Sequence, residues 1–207
     1  RLRLQVKING FHDVLPNYSI IDFGSSAISA AQYDYSLDES MRINKLDLQS
    51  PKGHLKSGDG FLPSIVNLVE DQYLGSKEFF DLPAVVKTIN ENPGYMITSL
   101  KLKILEGMKL FPLPPGFKFN GKDGKPSTDE TIPMKELLLS AYRNLRHNYL
   151  GKKKFDPKKY IFTCPNIYTR SHQAFLSEIL TLVFAEHGQG VYKENIQLVC
   201  ESDSLLF

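Results

Sequence analysis

Short apolar runs mark the N-terminal part of this chain, and helical spacings mark its C-terminal part. Tyr18-Ser19-Ile20-Ile21-Asp22-Phe23 is apolar and β-prone, and Gly24-Ser25-Ser26 breaks the run. Residues 27–35 then carry the chain back out, so residues 15–35 predict two strands around a tight turn. Arg42-Ile43-Asn44-Lys45-Leu46-Asp47-Leu48 alternates apolar and polar, as a half-buried third strand does. The three together predict a meander. Residues 61–68 are a short strand candidate, and Pro63 favours a strand start or a sheet edge. Residues 82–105 are apolar and mostly helix-compatible, interrupted by Asn92-Pro93-Gly94. Residues 110–131 are rich in proline and glycine and contain Asn120-Gly121 and Asp123-Gly124, which predicts an exposed loop or hairpin.

From Pro133 the period changes. Met134, Leu137, Leu138, Ala141, Leu145 and Tyr149 recur at helical spacing, with Gly151 as a stop. A basic connector follows over residues 152–159. Tyr160-Ile161-Phe162-Thr163-Cys164 is continuously apolar up to Pro165, the signature of a strand buried on both faces. A second helix is expected over residues 171–187, with Phe175, Leu176, Ile179, Leu180, Val183 and Phe184 inward and Gly188 as its stop. Ile196-Gln197-Leu198-Val199-Cys200 reads as the last strand. Strand, helix, strand in this order predicts a right-handed parallel crossover. No internal repeat interrupts the pattern.

Composition changes this picture little. The 207 residues are 42% hydrophobic and 23% charged, ordinary for a soluble globular protein with a buried core. A net charge of +2 gives no reason to expect a nucleic-acid or membrane surface. No apolar run approaches the roughly 20 residues that span a bilayer. The first residues are too polar for a secretory signal, and without an initiator Met the chain is expected to begin inside a longer one. The only cysteines, Cys164 and Cys200, read as reduced core thiols of a cytoplasmic protein.

The first candidate chemistry is Asp22-Phe23-Gly24-Ser25-Ser26. A strand delivers a carboxylate to its end, and a small hydroxyl turn follows. Backbone N–H groups of such a turn can cradle phosphate oxygens. Asp22 would repel phosphate, but it can hold Mg²⁺ directly or through water. The same residues also make an ordinary hairpin turn whose Asp bonds its own backbone. Asp22-Phe23-Gly24 spells the metal-binding triplet of protein kinases too, but no His-Arg-Asp catalytic loop precedes it.

With these elements in this order, the chain resembles the N-terminal lobe of the nucleotide-binding domain shared by actins, sugar kinases and the seventy-kilodalton heat-shock chaperones, and it is most similar to the chaperones. The family's first hairpin carries Asp-x-Gly-Thr/Ser-Thr/Ser, which Asp22, Gly24, Ser25 and Ser26 match. Phe61-Leu62-Pro63-Ser64-Ile65-Val66 is like the family's "x-Pro-Ser-x-Val", and Tyr73-Leu74-Gly75-Ser76-Lys77-Glu78 is like its "Val-Gly-x-x-Ala". In Thr98-Ser99-Leu100-Lys101-Leu102-Lys103-Ile104-Leu105-Glu106-Gly107, the resemblance implies a helix with a lysine that reaches the γ-phosphate. Counting back from Gly107 selects Lys103, with Lys101 as the other candidate; both also fit ordinary surface lysines. Residues 160–168 and Ser171-His172-Gln173 are similar to "Val-x-Thr-Val-Pro-Ala-x-Phe … Ser-Gln-Arg", with Pro165 at the proline that relays nucleotide state in the chaperones. Residues 196–207 resemble the strand that ends in "Asn-Glu-Pro-x-Ala-Ala", which places Glu201 at the glutamate near the γ-phosphate.

The resemblance implies an α/β fold of the ribonuclease H-like kind (actin and heat-shock chaperone ATPases), a mixed sheet with flanking helices and an inserted smaller subdomain. Residues 1–48 would hold the first strands and the phosphate loop 22–26. Residues 49–131 would form the inserted helical and loop subdomain, and residues 132–207 would complete the lobe, with the second lobe absent. It further implies ATP and Mg²⁺ as cofactors, with Asp22 as the metal residue. Asp22, Gly24, Ser25 and Ser26 would bind the nucleotide, and Lys103 and Glu201 would be catalytic. Protein clients or co-chaperones are the implied partners, with no nucleic acid and no membrane. The parent would be an ATP hydrolase and chaperone-like switch in the cytoplasm, and the isolated fragment inactive. Ser202-Asp203-Ser204-Leu205-Leu206 departs from the family's small, proline-containing run, and two serines replace the commoner threonines. These departures keep open a degenerate, non-catalytic interaction module of the actin fold, or a bacterial-actin-type filament protein.

Other residues carry less. The five histidines show no metal-ligand spacing among themselves or with the cysteines. Ser171-His172 lacks a nucleophile-elbow context. Lys152, Lys153, Lys154, Lys158 and Lys159 read as a solvated connector. Phe111, Phe117 and Phe119 either pin the insertion to its lobe or form a partner surface.

Overall fold

A computed structural model describes residues 17–25, 27–34, 37–39, 43–46, 48, 60–68, 90–91, 96–107, 109–120, 126–127, 129–150, 159–185 and 193–201. The expectations for Ser26, for residues 73–78, for the break at Asn92-Pro93-Gly94, for residues 152–158 and for residues 202–207 lie outside them.

Strands β1 (Tyr18–Phe23) and β2 (Ala27–Tyr33) form the expected antiparallel hairpin. Strand β3 (Ile43–Lys45) adds to β2, and so does the two-residue β4 (Leu62–Pro63), which keeps Pro63 at a sheet margin as its missing N–H requires. Next come β5 (Ile65–Asn67), β6 (Met96–Thr98), helix α1 (Leu100–Leu105), β7 (Leu110–Pro112), β8 (Phe119–Asn120), β9 (Pro126–Ser127) and β10 (Thr131–Pro133). Helix α2 (Met134–Asn144) runs into a wide π-helical turn (Leu145–Leu150). Strand β11 (Lys159–Cys164), helix α3 (Arg170–Phe184), a 3₁₀ turn (Lys193–Asn195) and β12 (Ile196–Cys200) complete the order.

The main sheet runs β12-β11-β1-β2-β3, with β4 beside β2. β11 is parallel to both β1 and β12, and the pairs on the β2 side are antiparallel. The fold is therefore mixed α/β, a mixed sheet with flanking helices. The expected parallel pairing of the last two strands is present.

Alternation along the strands gives the sheet two different faces. Ile21 and Phe23 of β1, Ile28 and Ala30 of β2, and Tyr160, Phe162 and Cys164 of β11 point to one face and are buried. Helices α2 and α3 cover it. Tyr142 of α2 meets Phe23 at 5.0 Å between ring centres, and Phe184 of α3 meets Phe162 at 4.9 Å and Tyr160 at 4.8 Å. Burial of side chains this size contributes about 1.5–3 kcal/mol each. Ile20, Asp22, Ala31, Ile161, Thr163 and Val199 point to the other face, where Ile20 is 37% exposed.

The helix ends follow local chemistry. Pro133 stands at the N-cap of α2. Thr169 caps α3: its hydroxyl accepts from the His172 N–H, and His172 Nδ1 accepts from the Thr169 N–H at 3.2 Å. Histidine thus takes the part that glutamate usually plays in a capping box. Near the other end, the buried Arg146 guanidinium donates to the Val183 carbonyl and lies over the Phe184 ring at 5.9 Å. A cation there complements the negative end of α3.

The described residues between 60 and 131 carry more strand than their sequence pattern predicts. Within residues 82–105, which look helix-compatible, Met96–Thr98 is a strand, and α1 spans six residues. Ile97 and Thr98 are β-branched, and pairing with β5 decides the outcome. The expected loop or hairpin over residues 110–131 is realised as two nested antiparallel pairs, β7 with β10 and β8 with β9. Phe117 is buried there, at 3% exposed. No helix among the described residues is long and apolar enough to cross a membrane.

Candidate functional site

Asp22 lies one residue before the end of β1, and Thr163 one residue before the end of β11. The parallel register that aligns Ile21 with Phe162 sets these two side by side on the face opposite α2 and α3. The Thr163 hydroxyl donates to Asp22 Oδ1 at 2.5 Å, in the range of charge-assisted O–H···O⁻ bonds. Glu201 follows directly on β12, so sheet geometry alone gathers a hydroxyl and two carboxylates at one edge.

Helix α1 supplies the cation. Its Leu100, Lys101 and Ile104 are buried. Lys101 Nζ donates to Thr163 Oγ1 at 3.3 Å and to Glu201 Oε1 at 3.3 Å, and it stands 3.6 Å from Asp22 Oδ1. The lysine side chain is 2% exposed, against 48% for Asp22 and 49% for Glu201. The cation is thus enclosed, while both carboxylates keep an outlet to solvent.

Several contacts hold α1 in place. The Tyr168 hydroxyl donates to the Lys101 carbonyl at 2.7 Å. Tyr168 is itself positioned by the turn after Pro165, whose carbonyl accepts from the Tyr168 N–H at 3.0 Å. Ser99, at the N-cap of α1, is the one non-glycine residue with positive φ among the described residues, at φ 55° and ψ 48°. Its hydroxyl donates to the Ser25 carbonyl at 3.3 Å, tying the lysine helix to the β1–β2 turn. Left-handed serine costs of order 1 kcal/mol or more, and such outliers cluster at functional sites.

The β1–β2 turn requires glycine at position 24. A Cβ there would stand 2.6 Å from the Ala27 carbonyl oxygen, closer than real Cβ contacts allow. Beside Asp22, a cleft of about 480 Å³ opens on the face opposite α2 and α3, lined in part by Ile20, Ser29, Lys45 and Phe61.

The residues singled out in the sequence divide clearly. Asp22, Gly24, Ser25 and Glu201 lie at this edge. Lys103 does not: it turns outward and pairs with Glu106 at 3.1 Å. Two helical positions separated by two residues differ by about 200° in direction, so only one of the two lysines can face the sheet. That one is Lys101. Thr163 is a member of the cluster that sequence reasoning treated as part of a buried strand; its place before Cys164-Pro165 at a strand end was the available signal.

Burial shapes the surroundings. It raises the Tyr168 phenol well above its ordinary range, with Cys164 and Glu201 adding to the effect. It also raises Tyr142, with smaller contributions from Tyr168 and Asp22. The Cys164 thiol is pushed up to about 12, chiefly by burial and then by its bond to Cys200. The cluster is therefore floored by groups that stay neutral.

No protein-family model matches the chain, and no curated protein matches it.

Among the described residues, no three His, Cys, Asp or Glu side chains converge as a ligand set. Mg²⁺ keeps several waters and needs only one or two carboxylates when phosphates complete its shell. Half-exposed Asp22 and Glu201 fit that requirement. An enclosed ammonium between them, a glycine-dependent turn and a nearby cleft fit a polyphosphate.

Proposed function

We propose that this chain is the phosphate-binding half of an ATPase domain of the ribonuclease H-like kind, of the sort found in actins and seventy-kilodalton heat-shock chaperones. The observation that carries the reading is the Lys101 ammonium held by Asp22, Thr163 and Glu201 at the ends of three neighbouring strands. Open α/β sheets place ligand chemistry at the carboxyl ends of their parallel strands, which is where these side chains stand. In this reading a second lobe supplies the adenosine contacts.

Each residue then has a task. Asp22 would hold a hydrated metal ion, whose charge would offset that of the phosphates. The turn at Gly24 and Ser25 presents backbone N–H groups to phosphate oxygens. Lys101 offers a positive charge fixed before the ligand arrives, which costs no reorganisation at the moment of reaction. Thr163 orients both Lys101 and Asp22. Glu201, half-exposed and bonded to Lys101, is placed to accept a hydrogen bond from an attacking water. Closure of two lobes around the nucleotide would convert hydrolysis into movement, as a chaperone-like switch with protein clients requires.

Calorimetric titration of MgATP, into the chain and into the polypeptide that joins it to a second lobe, tests this reading. Binding by the two-lobe form is expected. Lys101→Ala is expected to lower hydrolysis about 10²- to 10³-fold, the usual effect of removing one preorganised charge-stabilising donor. Lys103→Ala is expected to leave it unchanged. Absence of binding in both polypeptides would sink the ATPase reading and leave an interaction module. Equal hydrolysis in wild type and Lys101→Ala would sink the residue assignment.

A further inference from the structure

The two cysteines face each other across the parallel pair β11–β12. Cys164 and Cys200 are direct register partners, and their sulfur atoms stand 3.8 Å apart. Both are free thiols. Neighbouring strands lie about 4.8 Å apart, inside the roughly 4.4–6.8 Å Cα separation that a disulfide spans. Both side chains leave the sheet on the same face. A bond therefore needs side-chain rotation to bring sulfur to about 2.0 Å from sulfur, without moving one strand past the other.

The two thiols are not equivalent. Cys164 is 1% exposed, whereas Cys200 is only partly buried. Gln173 of α3 directs its side-chain amide at this pair. Its Nε2 donates to the Tyr168 carbonyl at 3.3 Å and to Cys200 Sγ at 3.7 Å. Cys200 thus has the access and the donor, and Cys164 has the position from which to answer.

We propose that Cys164 and Cys200 form a reversible thiol-oxidation site whose oxidised state is an interstrand disulfide beneath the Asp22–Lys101–Thr163–Glu201 cluster. The oxidant is a peroxide. Cys200 sulfur attacks the peroxide, the O–O bond breaks, and the products are a Cys200 sulfenic acid and water or an alcohol. The Cys164 sulfur then attacks the Cys200 sulfur. The S–O bond breaks, and the hydroxyl leaves as water with the Cys164 proton. Two thiols are oxidised to one disulfide, and the peroxide is reduced. Cys200 is partly exposed, and exposed disulfides are the more readily reduced ones, which suits regulation rather than permanent stapling. Thr163 precedes Cys164 and Glu201 follows Cys200, so the bond would fix the two strand ends that carry them. The proposal stands whether or not the cluster binds nucleotide.

The test treats the purified, reduced chain with hydrogen peroxide and follows free thiols, intact mass and peptide maps. Both thiols should disappear together in a monomer that has lost two hydrogens, and dithiothreitol should restore them. The folded chain should close the bond faster than the same chain unfolded in urea, because the sheet holds the sulfurs together. In Cys164→Ser, Cys200 should stop at a sulfenic acid that dimedone traps. Oxidation to sulfinic acid or to intermolecular dimers in the wild type would overturn the proposal. So would faster closure in the unfolded chain, or persistence of both thiols while glutathione in the same tube is oxidised. The folded-against-unfolded comparison needs no variant, so it decides the matter even if Cys164→Ser fails to fold.

Discussion

The two faces of the main sheet carry different kinds of side chain and answer to different physics. The face under α2 and α3 is built from Ile21, Phe23, Ile28, Phe162 and the ring of Phe184. The opposite face presents Ile20, Asp22, Ile161 and Thr163, and collects a lysine and a second carboxylate at its edge. A single alternation of residues along β1 and β11 separates them. Packing density rules the first, and charge and hydrogen-bond geometry rule the second. Neighbouring residues in sequence, such as Phe162 and Thr163, should therefore fail in different ways when replaced.

Phe162→Ala should have the largest effect. Phe162 is 1% exposed and touches rings from both helices, Tyr142 at 6.1 Å and Phe184 at 4.9 Å. Truncating a buried phenylalanine costs about 3–5 kcal/mol, a large share of the 5–15 kcal/mol that holds an ordinary domain folded. Urea denaturation should show the midpoint falling sharply. A loss below about 1 kcal/mol would mean that the covered face is not the core.

Much of this division is readable in the sequence. The alternation in residues 18–23, the continuous run at 160–164 and the helical spacings of 134–149 and 175–184 predict the strands, the helices and the parallel pair. The edge residues Asp22, Gly24 and Glu201 follow from motif and strand end. The choice of lysine is harder to read. α1 has apolar residues at 100, 102, 104 and 105, so its apolar stripe does not define a single inward direction. Leu102 is 41% exposed and Lys101 is 1% exposed, the reverse of what side-chain polarity predicts. Only the partners brought from β1, β11 and β12, distant in sequence, make burial of an ammonium tolerable. The strands at 65–67 and 96–98 are illegible for a similar reason, since each is stabilised by the other rather than by its own composition.

Tyr168→Phe sharpens the comparison at an intermediate magnitude, because Tyr168 connects the two sides. Its hydroxyl bonds the Lys101 carbonyl, and its ring is buried at 4% exposed. Removing that hydroxyl should cost about 1–2 kcal/mol, the usual penalty for leaving a buried acceptor without its donor. A second consequence concerns pH. Burial raises the Tyr168 phenol above its ordinary 10.0 in the folded state, so the folded chain retains a proton that the unfolded chain gives up. Stability from this group is complete below about pH 10 and declines as the pH rises from there towards the folded-state value. The alkaline loss measured by urea titration at pH 9 and pH 11 should be smaller in Tyr168→Phe than in wild type. An equal loss would show that the hydroxyl is hydrated and does not anchor α1.

Lys103→Ala should do least, and for that reason it gives the strictest comparison with Lys101. The two lysines share a helix and lie two positions apart, yet one is enclosed and the other is 30% exposed in its side chain. The Lys103–Glu106 pair is an exposed i,i+3 contact, worth about 0.2–0.5 kcal/mol at most. Its removal should move the urea midpoint by little more than measurement error, and that small shift should vanish in high salt, where exposed pairs are screened. Lys101→Ala, measured beside it, leaves Asp22 and Glu201 without their shared cation and should cost about 2 kcal/mol, less than a fully buried pair because both carboxylates keep contact with water. If the two alanine variants behaved alike, the inward direction of α1 would be wrong, and the cluster at the strand ends would have to be built around a different cation.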